Sequence, residues 1–199
     1  MKGANSLFIV ISGPSGVGKD TVLAKMKQSR RSLHYVVTAT TRPQRPGEKN
    51  GLDYHFVSEE QFKQMIETGQ LLEWASVYGN LYGVPKRQIQ QALAQGLDVV
   101  VKIDVQGAAT IKNILPQAVF IFLTPPSLDQ LERRLRERKT ESTEELKLRM
   151  ENTRREMDSL PLFDYVVVNH QDRLDLTIAQ IDAIISAEKC RVKPRVIEL

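Results

Sequence analysis

Seven consecutive residues, Gly13-Pro-Ser-Gly-Val-Gly-Lys19, match the first seven positions of the phosphate-loop pattern. Glycines at 13, 16 and 18 let the backbone turn its N–H groups inward, the start of a following helix adds positive potential, and Lys19 supplies a mobile point charge for outer phosphates. Pro14, Ser15 and Val17 complete the loop. The pattern carries this meaning only between a strand and a helix. Leu7 to Ile11 is a short apolar run rich in β-branched residues, and Thr21 to Gln28 has helical period, so the context is met.

At the eighth position, where the pattern expects a hydroxyl for magnesium, the chain has Asp20. A carboxylate suits magnesium and a helix N-terminus but repels a β-phosphate. Asp20 is therefore read as a helix-capping or metal-orienting residue, and Thr21 as the hydroxyl that holds phosphate. Arginine recurs in two separated places, Arg42 to Arg45 and Arg133 to Arg155, which suits a small, multiply charged anion held between two elements.

Positioning such groups takes a sheet. Val99 to Ile103, Val119 to Leu123 and Tyr165 to Val168 are further buried-strand candidates, and segments of helical period separate them. Helices are expected at Glu59 to Thr68, Lys86 to Gln95, Gly107 to Ile114, Leu128 to Glu137, Thr143 to Met157 and Leu174 to Lys189. The alternation predicts an α/β fold with a mostly parallel sheet covered by helices. Two stretches depart from it. Residues 38–57 carry turn formers and arginines and read as a long functional loop, and residues 127–158 are charge-dense and read as a helical hairpin joined near Lys139 to Ser142. Two excursions bearing arginines outline an enzyme that closes over its substrates.

Composition agrees with one domain: 199 residues, 41% hydrophobic and 26% charged, exclude collagenous, coiled-coil and low-complexity chains. The longest apolar runs, Leu7 to Ile11 and Ala118 to Leu123, fall far short of the roughly 20 residues a bilayer crossing needs. Met1 to Ser6 lacks the pattern of a signal peptide, and the single cysteine, Cys190, forbids an internal disulfide. Both point to the cytoplasm. A formal net charge of +4 does not announce a nucleic-acid binder.

Beyond the phosphate loop, the chain resembles the guanylate kinase family of P-loop nucleoside monophosphate kinases, from about Leu7 to Lys189. The blocks that carry the likeness are Ser12 to Lys19, Thr40-Thr-Arg-Pro-Gln-Arg-Pro-Gly-Glu48, Asp53-Tyr54, Glu73-Trp-Ala75, Gly79-Asn-Leu-Tyr-Gly83, Ile103-Asp-Val-Gln-Gly107 and Pro125-Pro-Ser127. The resemblance implies a core, a GMP-binding region at 34–92 and a lid at 126–158. It implies ATP and Mg2+ as phosphoryl donor and cofactor, and GMP as acceptor. The sequence leaves room for a homo-oligomer and specifies none.

Residue by residue, the resemblance implies that Arg42 and Arg45 grip the acceptor phosphate with Tyr54 and Tyr82. Guanidinium forks suit a dianion. Guanine presents N1–H and N2–H₂ donors, so a carboxylate facing that edge selects it. Glu73 is the candidate, set in an apolar stretch where an unpaired charge is expensive. Asp104 resembles a second carboxylate near the acceptor nucleoside, and Thr38 resembles the hydroxyl donor to O6. Lys19, Arg42, Arg138 and Arg149 would neutralise charge on the transferred group, with Arg134 a weaker candidate.

Four positions depart from the family pattern: Asp20, Lys102 in place of a carboxylate, Val84 in place of a hydroxyl that assists O6, and Lys139 in place of glycine. Asp20 adds the negative charge that Lys102 removes, so the two are expected to pair. Two other functions stay open, a kinase of the same fold for another monophosphate and a non-catalytic binding module. Glu73 argues against the first and the intact phosphate loop against the second.

Overall fold

The computed structural model describes residues 6–28, 32–77, 79–137, 143–170 and 172–199. Its main sheet is parallel, in the order β2-β7-β1-β8-β9. These strands are β1 (Phe8–Ser12), β2 (Leu33–Tyr35), β7 (Asp98–Lys102), β8 (Val119–Thr124) and β9 (Tyr165–Val168). β1, the strand that feeds the phosphate loop, sits in the middle, paired to β7 on one side and β8 on the other.

Side chains alternate across a strand. Phe8 and Val10 therefore join Val99, Val101 and Phe120 on one face, while Ile9 and Ile11 join Val100, Val119, Ile121 and Leu123 on the other. Both faces are covered, which is why these strands are apolar without interruption. Ile89 of α3 (Lys86–Ala94) and Ala108 and Ile111 of α4 (Val105–Ile114) close the first face. Val22 and Met26 of α1 (Lys19–Lys27) and Ile181 and Ile185 of α7 (Leu174–Lys189) close the second.

The expected strands and helices of the core are present with small shifts at their ends. α1 starts at Lys19, ahead of the expected Thr21, because Gly18 serves as its N-cap. α4 starts at Val105, ahead of the expected Gly107, because the Asp104 side chain caps it by accepting the Gly107 N–H at 2.7 Å.

A larger correction concerns residues 38–57, read as a loop. A second, four-stranded sheet runs through them in the order β4-β3-β6-β5. It comprises β3 (Ala39–Thr40), β4 (His55–Phe56), β5 (Leu71–Val77) and β6 (Asn80–Pro85). β3 and β4 have two residues each, too few to display a period. They form because β6 pairs with β3, and because α2 (Glu59–Glu67) packs Phe62 against Ala39 and Leu71. α5 (Leu128–Glu137) and α6 (Thr143–Met157) match the expected hairpin, and Leu131 and Leu135 of α5 bury themselves with Met150 of α6.

Candidate active site

The carboxyl ends of β1 and β7 face the small sheet across a cleft of about 220 Å3. The phosphate loop contributes Ser15, Gly16, Gly18, Lys19, Asp20 and Thr21. From the small sheet and its loops come Thr38, Arg42, Arg45, Glu48, Tyr54, Glu73 and Tyr82, and from beyond β7 comes Asp104. Of the residues singled out in the sequence, Val17 faces away and is buried in the core under the loop. Arg138 and Lys139 lie outside the described residues, as do the side chains of Arg134 and Arg149 on α5 and α6.

The loop is held from below. Gly18 has φ 99°, the left-handed region that favours glycine, and a Cβ there would stand 2.7 Å from Asn169 Nδ2. Asn169, 4% exposed, donates from that nitrogen to the Val17 carbonyl at 2.7 Å and accepts from Thr177 Oγ1 at 3.1 Å. Sequence reasoning missed Asn169, since only its place after β9 links it to the loop. Lys19 turns back on the loop, its Nζ donating to the carbonyls of Gly13 at 2.6 Å and Pro14 at 3.1 Å. Burial pushes its pKa down, and the nearby Glu156 and Asp20 charges oppose that. Glu156, on α6, accepts the Ser15 N–H at 3.0 Å and was also missed.

On the acceptor side Arg42 is 9% exposed and its fork is already oriented. It donates to Glu48 Oε1 at 2.7 Å and to the Pro43 carbonyl at 2.7 Å, while the Arg45 N–H donates to Glu48 Oε2 at 2.8 Å. Glu48 closes the Thr40 to Glu48 segment. It is the brace of both arginines' loop. Tyr54 and Tyr82 meet edge to face with centroids 6.1 Å apart, and the Arg42 guanidinium carbon is 5.4 Å from the Tyr54 centroid.

Glu73 occupies an irregular stretch of β5, where the register with β6 shifts between Leu71 and Trp74. It is 5% exposed, and its Oε2 has no hydrogen-bond partner among the described residues. Burial, helped by the Asp104 charge, raises its pKa to about 8. Thr38, 5% exposed, lines the same cleft. Val84, expected beside the base, is fully buried in the main core with Ile89, because β6 runs straight into α3.

Lys102 Nζ donates to Asp20 Oδ1 and, at 2.8 Å, to Tyr54 Oη. Burial acts to lower the Lys102 pKa, but Asp20 and Tyr54 outweigh it and the net direction is upward. The same contact bears on the metal-orienting reading of Asp20. Asp20, read as metal-orienting, is paired to an ammonium, and among the described residues no three His, Cys, Asp or Glu side chains gather. A magnesium ion carried on substrate phosphates takes only one or two carboxylates, and Asp20 Oδ1 is committed to Lys102 in this state.

The guanylate kinase family model matches residues 5–188. The chain is 46% identical over 193 residues to the guanylate kinase of Desulfitobacterium hafniense (strain Y51), covering 97% of this chain and 96% of that one. It is 47% identical over 194 residues to guanylate kinase 2, chloroplastic/mitochondrial, of Oryza sativa subsp. japonica, covering 97% of this chain and 68% of that one. The crystal structure of guanylate kinase from Anaplasma phagocytophilum superposes with a TM-score of 0.81 at 32% identity, covering 96% of this chain and 90% of that one. With a phosphate loop opening onto a cleft of fixed cations and one buried carboxylate, the chain belongs to the guanylate kinase family and is an ATP-dependent nucleoside monophosphate kinase.

Proposed function

We propose that the protein transfers the γ-phosphoryl group of ATP to GMP, and more weakly to dGMP, giving ADP and GDP. The observation that carries the choice of base is Glu73 Oε2, a buried acceptor without a donor among the described residues. An orphan acceptor is costly until a ligand satisfies it. Guanine brings two donors to one edge; adenine brings an acceptor at N1 and leaves the carboxylate unpaired. Thr38 donates to O6, and Asp104 supports the nucleoside while capping α4.

In this reading region 34–92 holds the acceptor and region 126–158 is the lid. The acceptor phosphate sits on Arg42, Arg45, Tyr54 and Tyr82, and Glu48 keeps the Arg42 fork aimed before substrate arrives. The phosphate-loop N–H groups and Thr21 take the ATP phosphates, and Lys19 swings from the Gly13 and Pro14 carbonyls onto them. Arg138 and Arg149 arrive with the lid and limit ATP hydrolysis in the absence of GMP. Magnesium enters on the ATP phosphates. Among the described residues no helix is long and apolar enough to cross a membrane. The single cysteine and the ATP donor suit the cytoplasm.

A coupled assay with GMP, dGMP, AMP and UMP tests the reading. GMP is expected to be used best, dGMP less well and AMP poorly, and Lys19→Ala should abolish turnover with the fold retained. Equal use of AMP and GMP overturns the base assignment.

A further inference from the structure

β7 ends on a cation that the grip of two arginines and two tyrosines does not employ. Lys102 pairs in register with Ile11 of β1, so its side chain emerges where the phosphate loop begins, opposite the small sheet. The side chain is 14% exposed, and its Nζ stands 4.4 Å from the Tyr54 ring centroid as well as within reach of the hydroxyl. Arg42 approaches the same ring. Two cations converging on a neutral phenol repel each other unless an anion lies between them. Asp20 supplies a single negative charge from the loop, on a side chain that is 82% exposed.

We propose that Lys102 is a ligand of the acceptor's phosphate, joining Arg42 and Tyr54, and that Asp20 is the stand-in anion that holds Lys102 until that phosphate arrives. This rests on the reading that the acceptor phosphate lies beside Tyr54. A phosphate dianion carries more charge than a carboxylate and offers three oxygens, so it accepts from Lys102, Arg42 and Tyr54 together, whereas Asp20 offers Lys102 one oxygen from an exposed side chain. The exchange leaves Lys102 paired in both states. Acceptor binding thereby breaks the link between β7 and the second residue of α1.

The test is calorimetric titration of GMP and of guanosine into the wild-type chain, Lys102→Met, Asp20→Asn and the double variant. Loss of one charge-assisted phosphate contact predicts that Lys102→Met weakens GMP about 10- to 100-fold and leaves guanosine unchanged. Asp20→Asn is expected to tighten GMP in the wild-type background and to have no effect once Lys102 is methionine. An equal loss for GMP and guanosine would reduce Lys102 to a structural role, and undiminished GMP binding in Lys102→Met would remove it from the phosphate site. Should Lys102→Met fail to fold, Asp20→Asn alone decides, because weaker GMP binding there contradicts a stand-in anion. A wild-type chain that binds no nucleoside monophosphate overturns the functional reading itself. A wild-type chain that binds GMP beside an indifferent Lys102 overturns only this inference.

Discussion

The Glu73 carboxylate rests on Gly107: a Cβ added at Gly107 would stand 2.8 Å from Oε2 and 3.0 Å from the carboxyl carbon. No Cβ takes up such contacts without displacing its neighbour, so the first turn of α4 carries glycine because the Glu73 carboxylate occupies the space. Glycine in a helix otherwise costs about 1 kcal/mol relative to alanine. Gly107→Ala should therefore push Glu73 off its position, raising KM for GMP about tenfold or more with KM for ATP unchanged. Steady-state kinetics with each substrate varied in turn check this, and a matched loss for ATP would mean a general collapse of the cleft.

The raised pKa of Glu73 predicts a pH dependence of its own. Only the carboxylate accepts both guanine donors, so with a pKa of about 8 GMP affinity should climb as pH rises through that value. Glu73→Gln should weaken GMP and flatten this part of the profile, while the phosphate's own titration near about 6 remains in both proteins. Stability runs the other way. A folded-state pKa above the ordinary carboxylate value gives stability that is present at low pH and is lost as pH rises from about 4.5 through about 8. Urea denaturation at pH 5 and pH 9, values chosen as roughly flanking that window, should find Glu73→Gln gaining on the wild type at the higher pH.

Glu156 accepts the Ser15 N–H of the phosphate loop at 3.0 Å, so on the proposed reading a carboxylate of α6 uses a donor meant for the ATP phosphates. ATP must displace it. Glu156→Gln, which removes the charge and keeps the shape, should tighten ATP roughly three- to tenfold, an effect of the size of one weakened competing contact. Fluorescent ATP-analogue titration at fixed ionic strength measures it. Weaker binding in the variant would make Glu156 a brace of the loop.

Beyond the helix that ends at Lys189, the tail returns to the core. Arg195 donates to both Glu188 oxygens, at 2.8 and 2.9 Å, and to the Ala118 carbonyl at 2.9 Å, while Tyr165 Oη donates to Glu188 Oε1 at 2.6 Å. The Glu188 side chain is 1% exposed. Losing Arg195 leaves Glu188 with Tyr165 and with Arg191 Nε at 3.6 Å, so the cost is that of charge-assisted hydrogen bonds, about 1.5–3 kcal/mol. Arg195→Met should lower unfolding free energy by that order with kcat at the wild-type value, and a variant as stable as wild type would make the tail dispensable.

How much of this was legible depends on how far apart the cooperating residues are along the chain. The phosphate loop is contiguous, its flanking strand and helix announce themselves by composition and period, and the apolar runs of β1, β7 and β8 follow from burial on both faces. A charge inside Leu71-Leu-Glu-Trp-Ala75 stood out because burial makes it expensive. The pairing of Asp20 with Lys102 was inferable as a compensation of charge, although 82 residues separate them.

The small sheet, the braces and the tail were not legible. β3 and β4 are too short to display a period and exist only because β6 pairs with β3 and α2 packs beneath. Glu156 meets Ser15 across 141 residues and Asn169 meets Val17 across 152, with neither contact marked by a local pattern. Val84 looked like a site residue from its neighbours in sequence and became a core residue once α3 covered it. The sequence by itself determined which groups carry charge, which strands are buried and where the phosphate-loop pattern lies, because these follow from residue type and short-range periodicity. Only the tertiary structure decided which carboxylate is paired, which is left without a donor and which side chain faces the cleft, because those depend on partners that folding brings together from distant parts of the chain.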